Sequence, residues 1–80
     1  MKLTESKKIE LLEKLAKLEH QQWMLWATHV LETENISIET RNRWESDFIP
    51  YGDLPESIKK LDRPFANKSL DVFEKYLKNL

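Results

Sequence analysis

The sequence contains no cysteine, and this absence removes several kinds of chemistry at once. No disulfide can cross-link the fold, no thiolate can act as a nucleophile, and zinc sites built on cysteine are excluded. One glycine and three prolines in 80 residues are too few for the turns of an all-β domain. The length predicts a single domain over residues 1–80, with a core of modest size.

Neither sign of charge dominates, because 13 basic residues face 14 acidic ones. A nucleic-acid-binding protein would be expected to carry a clustered basic face, which is missing here. No apolar run approaches the roughly 20 residues that cross a bilayer, and the first residues lack the apolar segment of a secretory signal. We therefore expect a cytoplasmic protein that binds neither nucleic acid nor membrane.

The first third of the chain has the apolar spacing of one long helix. Thr4 or Ser6 is a suitable N-cap, and neither proline nor glycine interrupts residues 5–34, so the helix is predicted to run to about Leu31. Its apolar stripe is expected to contain Ile9, Leu12, Ala16, Trp23, Trp26 and Val30, flanked by Leu11, Leu15, Leu18 and Leu25.

A shorter second helix is predicted after a break at residues 35–37. Ser37 is its N-cap, and it is expected to extend from Ile38 to about Phe48. The polar composition of this segment means that Trp44 and Phe48 must anchor it to the rest of the protein. Pro50 then pushes the chain out of helical conformation.

The last third of the chain is predicted to hold a helical turn near residues 55–61 and a separate final helix. Pro55 fits the first position of the helical turn. Asp62 is the predicted cap of the final helix, and Pro64 is tolerated in the first turn of that helix. The final helix has an apolar stripe of Ala66, Leu70, Phe73, Leu77 and Leu80. The expected fold is therefore all-α, an irregular three-helix arrangement with an extra helical turn.

The sequence offers little for catalysis. His20 and His29 are nine residues apart and face different directions, so they do not form a paired metal site. No serine or threonine has a nucleophile context, and no glycine-rich loop could hold a phosphate. Glu19 beside His20 could be a catalytic pair, but a buried, hydrogen-bonded histidine with a structural role is the preferred interpretation. We expect no enzyme activity, no metal and no cofactor.

The aromatic residues allow two interpretations. Trp23, Trp26 and Trp44 could line a pocket for a flat or cationic ligand, but in a domain this small they are more often part of the core. Tyr51, in a loop beside Pro50, is expected to be partly exposed.

Two segments, in order, resemble the ryanodine receptor repeat (RyR) domain, which also occurs in small bacterial and phage proteins. The first is LAKLEHQQW and the second is PYGDLPESIKKLDR, and together they span about residues 11–63. The matching positions are Leu15, Ala16, His20, Trp23, Pro50, Tyr51, Leu54, Pro55, Glu56, Lys59, Asp62 and Arg63. The Gly-Trp-x-Tyr-Gly turn of the receptor repeats is absent, as in the compact prokaryotic variety.

The resemblance implies a non-enzymatic helical module that binds a small polar ligand or a protein partner. The candidate binding residues are Glu19, His20, Trp23, Trp26, Trp44, Tyr51, Lys59, Asp62 and Arg63. A groove is expected near Trp23, Trp26, Tyr51 and Arg63. Glu19, His20 and Arg63 are expected to form a polar network between the first helix and the segment 50–63. The alternative is a homo-oligomer, such as a dimer formed through the apolar C-terminal helix, with no ligand.

Overall fold

A computed structural model describes residues 3–80 as three helices with no strand among them. Helix α1 spans Glu5–Thr33, α2 spans Ile38–Glu45 and α3 spans Glu56–Lys78, while a single 3-10 turn covers Tyr51–Asp53. The predicted all-α arrangement of a long, a short and a C-terminal helix is therefore confirmed.

Helix α1 begins and ends with satisfied backbone groups. The Thr4 side chain accepts a hydrogen bond from the Lys7 amide at 3.3 Å, as an N-cap does. The C-terminal turn contains no basic residue, so nothing in α1 itself offsets the negative end of the helix dipole. The Arg41 guanidinium of α2 supplies this cation from outside, because it donates to the Leu31 carbonyl at 2.9 Å.

Helix α2 is short, and it is held by its aromatic side chains. Ser37 caps it by accepting a hydrogen bond from the Thr40 amide at 3.2 Å. The helix ends at Glu45 rather than at the predicted Phe48, and the intervening residues form hydrogen-bonded turns. Trp44 and Phe48 both pack against Trp23 of α1, with ring centroids 6.3 and 5.6 Å away, which confirms their predicted role as anchors.

Helix α3 corrects the predicted boundary between two C-terminal elements. Residues 55–61 are not a separate turn but the beginning of one helix that continues through Pro64. Proline in a helix interior removes one backbone hydrogen bond, here to the Lys60 carbonyl. Packing of α3 on α1 outweighs this loss. Asp62 was predicted to cap a new helix, but it lies inside α3 and does not cap it.

Helices α1 and α3 run antiparallel, as shown by two side-chain pairs that join opposite ends of the helices. Lys8 lies 3.2 Å from Glu74, and His20 lies 3.9 Å from Asp62. The buried hydrophobic cluster between them is small and includes the 3-10 turn. It consists of Ala16, Tyr51, Leu54 and Ala66, with Leu12, Leu15 and Ile58 packed against it.

The buried face of α1 differs from the predicted stripe. Its buried residues are Ala16, His20, Ala27 and Leu31. Trp26, expected to be in the core, is 55% exposed, and Ile9, Leu18 and Leu25 are exposed as well. Small residues at positions 16 and 27 let the neighbouring segments approach closely, so the larger apolar side chains lie beside the contact and not within it. Two residues of the predicted C-terminal stripe are likewise exposed, Phe73 in α3 and Leu80 just beyond its end.

Candidate functional site

A groove of about 570 Å³ opens where the three helices meet. We name it the tryptophan groove, because it is lined by all three tryptophans of the sequence. Each helix or its immediate continuation contributes. The lining residues are Glu19, His20, Gln22, Trp23, Trp26, Arg43, Trp44, Asp47, Ile58, Leu61, Asp62 and Phe65. Its volume lies in the range of roughly 300–1,000 Å³ that is typical of small-molecule sites.

The three indole rings form a connected aromatic wall. Trp44 is the central ring, with its centroid 5.5 Å from that of Trp26 and 6.3 Å from that of Trp23. The Trp23 and Trp44 rings meet nearly edge to face, at 76°, which is a favourable geometry for aromatic pairs. Trp23 and Trp44 are half-buried and Trp26 is exposed, so one end of the wall is packed within the protein and the other end is open to solvent.

Three carboxylates lie on the same groove, contributed by Glu19, Asp47 and Asp62. Burial raises the pKa of Asp62 above its usual value, and the charges of Glu19 and Asp47 raise it further, while His20 acts in the opposite direction. The three carboxylates are therefore close enough to interact electrostatically. Arg43 is the one lysine or arginine among the lining residues, so the local charge is negative.

His20 forms the floor of the groove and is only 2% exposed. Its Nε2 lies 2.8 Å from the Ile49 carbonyl oxygen, and because a carbonyl can only accept, Nε2 carries the proton. This bond ties the segment before Pro50 to α1. Nδ1 faces Asp62 at 3.9 Å, which is too long for a hydrogen bond. The imidazole also stacks on Trp23, with centroids 5.8 Å apart. His20 thus has the structural role predicted for it and also shapes the groove.

Six of the nine predicted site residues line the tryptophan groove and three do not. Those in the groove are Glu19, His20, Trp23, Trp26, Trp44 and Asp62. The other three, Tyr51, Lys59 and Arg63, belong to a separate polar cluster. The expectation of a groove that joins Trp23 and Trp26 to Tyr51 and Arg63 is therefore wrong.

This second cluster is centred on Glu13, a residue that the sequence did not single out. Tyr51 donates its hydroxyl proton to Oε2 of Glu13, and Arg63 donates from Nε to Oε1 at 3.0 Å. Arg63 also donates from Nη1 to Glu56 at 2.8 Å. Lys59 covers the Tyr51 ring, with its Nζ 5.2 Å from the centroid. We call these five residues the Glu13 cluster.

The predicted network of Glu19, His20 and Arg63 is thus wrong, because Arg63 pairs with Glu13 and Glu56, while His20 contacts the Ile49 carbonyl and faces Asp62. Glu13 and Glu19 are six residues apart, which places them about 120° apart around a helix of 3.6 residues per turn. One arginine cannot contact both faces. Tyr51, expected to be partly exposed, is 7% exposed because it packs in the core beneath this cluster.

The groove residues that sequence reasoning missed carry a spacing signal. They are Gln22, Arg43, Asp47, Ile58, Leu61 and Phe65. In α1 the lining positions are 19, 20, 22, 23 and 26, and in α3 they are 58, 61, 62 and 65. Apart from position 20, both sets follow i, i+3, i+4, i+7, the spacing of a single helical face. The pattern in α3 was hidden by the prediction that a new helix began at Asp62.

The described residues contain no group of three His, Cys, Asp or Glu side chains arranged to hold a metal ion. Within residues 3–80, no helix is both long and apolar enough to cross a membrane. Searches with family models, against curated proteins and against solved structures returned no match for this chain.

Proposed function

We propose that this protein is a non-catalytic binding module whose tryptophan groove holds a small ligand. The observation that carries this proposal is the convergence of three tryptophans and three carboxylates on one open groove. Trp26, Leu61 and Phe65 leave large apolar surfaces exposed around it. Contiguous apolar surface of this kind is typical of binding sites, since covering it releases water favourably.

The ordered resemblance to the RyR domain supports the same proposal, because it implies a helical module without catalytic activity. The proposal includes no cofactor and no turnover, since the sequence has no cysteine and no recognisable nucleophile context. The negative lining of the groove opposes the phosphates of nucleic acid. A cytoplasmic location remains part of the proposal.

The proposal can be tested by intrinsic fluorescence, because every tryptophan of the chain lines the groove. A library of cationic, neutral and anionic small molecules would be titrated, with thermal shift as a second measurement. At least one compound is expected to change the emission saturably and to raise the melting temperature.

Trp26→Ser provides the site variant, and Tyr76→Ser provides the matched control. Both positions are exposed aromatics, at 55% and 62%, but only Trp26 lines the groove. Binding should be lost in the first variant and kept in the second. A library with no saturable binder, or binding that survives Trp26→Ser unchanged, would contradict the proposal.

A second candidate function is self-association without a ligand. It is favoured by Val72, Phe73 and Tyr76, which are exposed along one side of α3, and by Leu80, which is exposed just beyond its end. Sedimentation at micromolar concentrations distinguishes the candidates, since a species of 9.6 kDa counts against a dimer.

A further inference from the structure

We propose that the ligand of the tryptophan groove is a small organic cation with a methylated ammonium group, of the choline type. This inference rests on the proposed function and adds the chemical class of the ligand. It depends on two properties of the groove that occur together, an aromatic wall and a negative lining.

The aromatic wall suits a cation that is weakly hydrated. Indole rings present a negative quadrupole at their faces, and tryptophan is the strongest of the aromatic side chains in this respect. Trp23, Trp26 and Trp44 are linked through centroid distances of 5.5 and 6.3 Å, so a group of the size of trimethylammonium can contact more than one ring. An unmethylated ammonium group would lose hydrogen bonds from its N–H donors to water, and an apolar groove could not replace them. Methylation removes these donors.

The carboxylates supply charge complementarity around this wall. Glu19 lies on α1, Asp47 follows α2 and Asp62 lies on α3, so the negative charges surround the groove from three directions. Burial, and after it the charges of Glu19 and Asp47, raises the pKa of Asp62, so Asp62 is repelled by both of the other carboxylates. A bound cation would relieve that repulsion, whereas an anion would increase it.

Other occupants fit the groove less well. An inorganic divalent cation requires several oxygen ligands at once, and the described residues offer no such arrangement. The volume of about 570 Å³ lies in the range that is typical of small-molecule sites. We therefore assign the groove to a free small cation and not to a modified protein segment.

The experiment compares choline with dimethylbutanol, its neutral isostere with carbon in place of nitrogen, and with ethanolamine, its unmethylated counterpart. Signals of the three tryptophan indole N–H groups would be followed by NMR in the full chain. Choline is expected to bind at least about tenfold more tightly than either analogue, consistent with a partly desolvated cation–π contact.

Charge variants test the carboxylates. Glu19→Gln and Asp62→Asn are each expected to weaken choline binding by at least about threefold. Asp71→Asn is the matched control, since it removes the same charge from an exposed position about 13 Å further along α3. Its affinity for choline should be unchanged, and the NMR spectra show at the same time that each variant is folded.

The outcomes separate this inference from the proposed function. Binding of dimethylbutanol or of ethanolamine that is as tight as that of choline would overturn the assignment of a methylated cation. A neutral or anionic library compound that binds in a Trp26-dependent way while choline does not would overturn it and leave the proposed function intact. A trimethyllysine peptide that binds ten times more tightly than choline would overturn the claim that the ligand is a free small molecule. If no compound binds at all, both this inference and the proposed function are wrong.

Discussion

At the scale of single residues, the protein separates two kinds of polar contact. The Glu13 cluster joins an acid, a tyrosine, an arginine and their neighbours through direct hydrogen bonds. In the tryptophan groove, Asp62 has only a distant imidazole beside it. Satisfied contacts stabilise a fold, whereas partly buried acids that repel one another reduce stability and are typical of sites that bind.

Tyr51→Phe is expected to lower the free energy of unfolding by about 1–2 kcal/mol, because it removes a hydrogen bond to the charged Glu13. Urea denaturation at neutral pH measures the change. Tyr76→Phe is the matched control, since Tyr76 is exposed, and its stability should not change. Equal stability of both variants would mean that the Tyr51 hydroxyl contributes nothing.

The same contact predicts a pH dependence at alkaline values. Burial, and then the hydrogen bond to Glu13, raises the pKa of Tyr51 to about 12. Because the folded state favours the protonated phenol, this contribution to stability is complete below about pH 10, the ordinary pKa of tyrosine, and is lost as the pH rises towards 12. Absorbance titration should show one late-titrating tyrosine that is missing in Tyr51→Phe. A titration curve that Tyr51→Phe leaves unaltered above pH 11 would contradict the assignment.

Asp62→Asn is expected to raise the melting temperature at pH 7. Burial raises the pKa of Asp62 in the folded state, aided by Glu19 and Asp47 and opposed by His20. Ionisation of Asp62 therefore destabilises the fold as the pH rises through that pKa, and asparagine avoids this cost. Asparagine and aspartate have similar helix propensities, so the comparison isolates the charge.

The gain should shrink below about pH 4, where aspartate in the unfolded chain is itself protonated. Calorimetry between about pH 4 and pH 7 measures the change in melting temperature, with Asp71→Asn as the control at an exposed site. A lower melting temperature for Asp62→Asn at pH 7 would show that the attraction to His20 outweighs the burial.

At the scale of elements, α3 is the element whose local sequence and final structure disagree. Asp62-Arg63-Pro64 has the sequence features of a helix start, but α3 begins six residues earlier, at Glu56. Ile58 on the first turns packs against the core cluster, and Ala66 belongs to it, so both halves of α3 are drawn to the same surface of α1. Packing along a shared face outweighs one lost backbone hydrogen bond.

Pro64→Ala is expected to increase the free energy of unfolding by about 1–3 kcal/mol. Pro64 is exposed within α3, and alanine restores the hydrogen bond to the Lys60 carbonyl. Chemical denaturation measures the gain, and Ser57→Ala, an exposed site in the first turn, provides a comparison in which propensity alone changes. A loss of stability in Pro64→Ala would show that the proline imposes a bend that packing requires.

At the scale of the whole molecule, the protein is elongated. Its radius of gyration is 15.5 Å, whereas a compact chain of this length would have about 12 Å. Only a thin core forms between two long helices, and many large apolar side chains stay exposed. A chain with this distribution gains stability from any partner or ligand that covers those surfaces.

Val72→Lys tests whether self-association uses the C-terminal half of α3. Val72 is 69% exposed, so lysine should leave the monomer folded while placing a charge on the apolar side. If the chain forms dimers at tens of micromolar concentration, this variant should sediment as a monomer. Asn67→Lys adds the same charge at another exposed position of α3 and should leave the dimers intact. Dimers that persist in Val72→Lys would assign the contact to another surface.

The sequence by itself determined the all-α class, the anchors Trp44 and Phe48, and six residues of the groove, and it narrowed the first N-cap to Thr4 or Ser6, because these depend on local spacing and on residue type. Only the tertiary structure decided that α3 is continuous, that Arg63 pairs with Glu13 and not Glu19, and that Trp26 is exposed. These outcomes depend on which faces of α1 and α3 meet. The small residues Ala16 and Ala66 lie in that contact, and the larger tryptophans line the groove beside it.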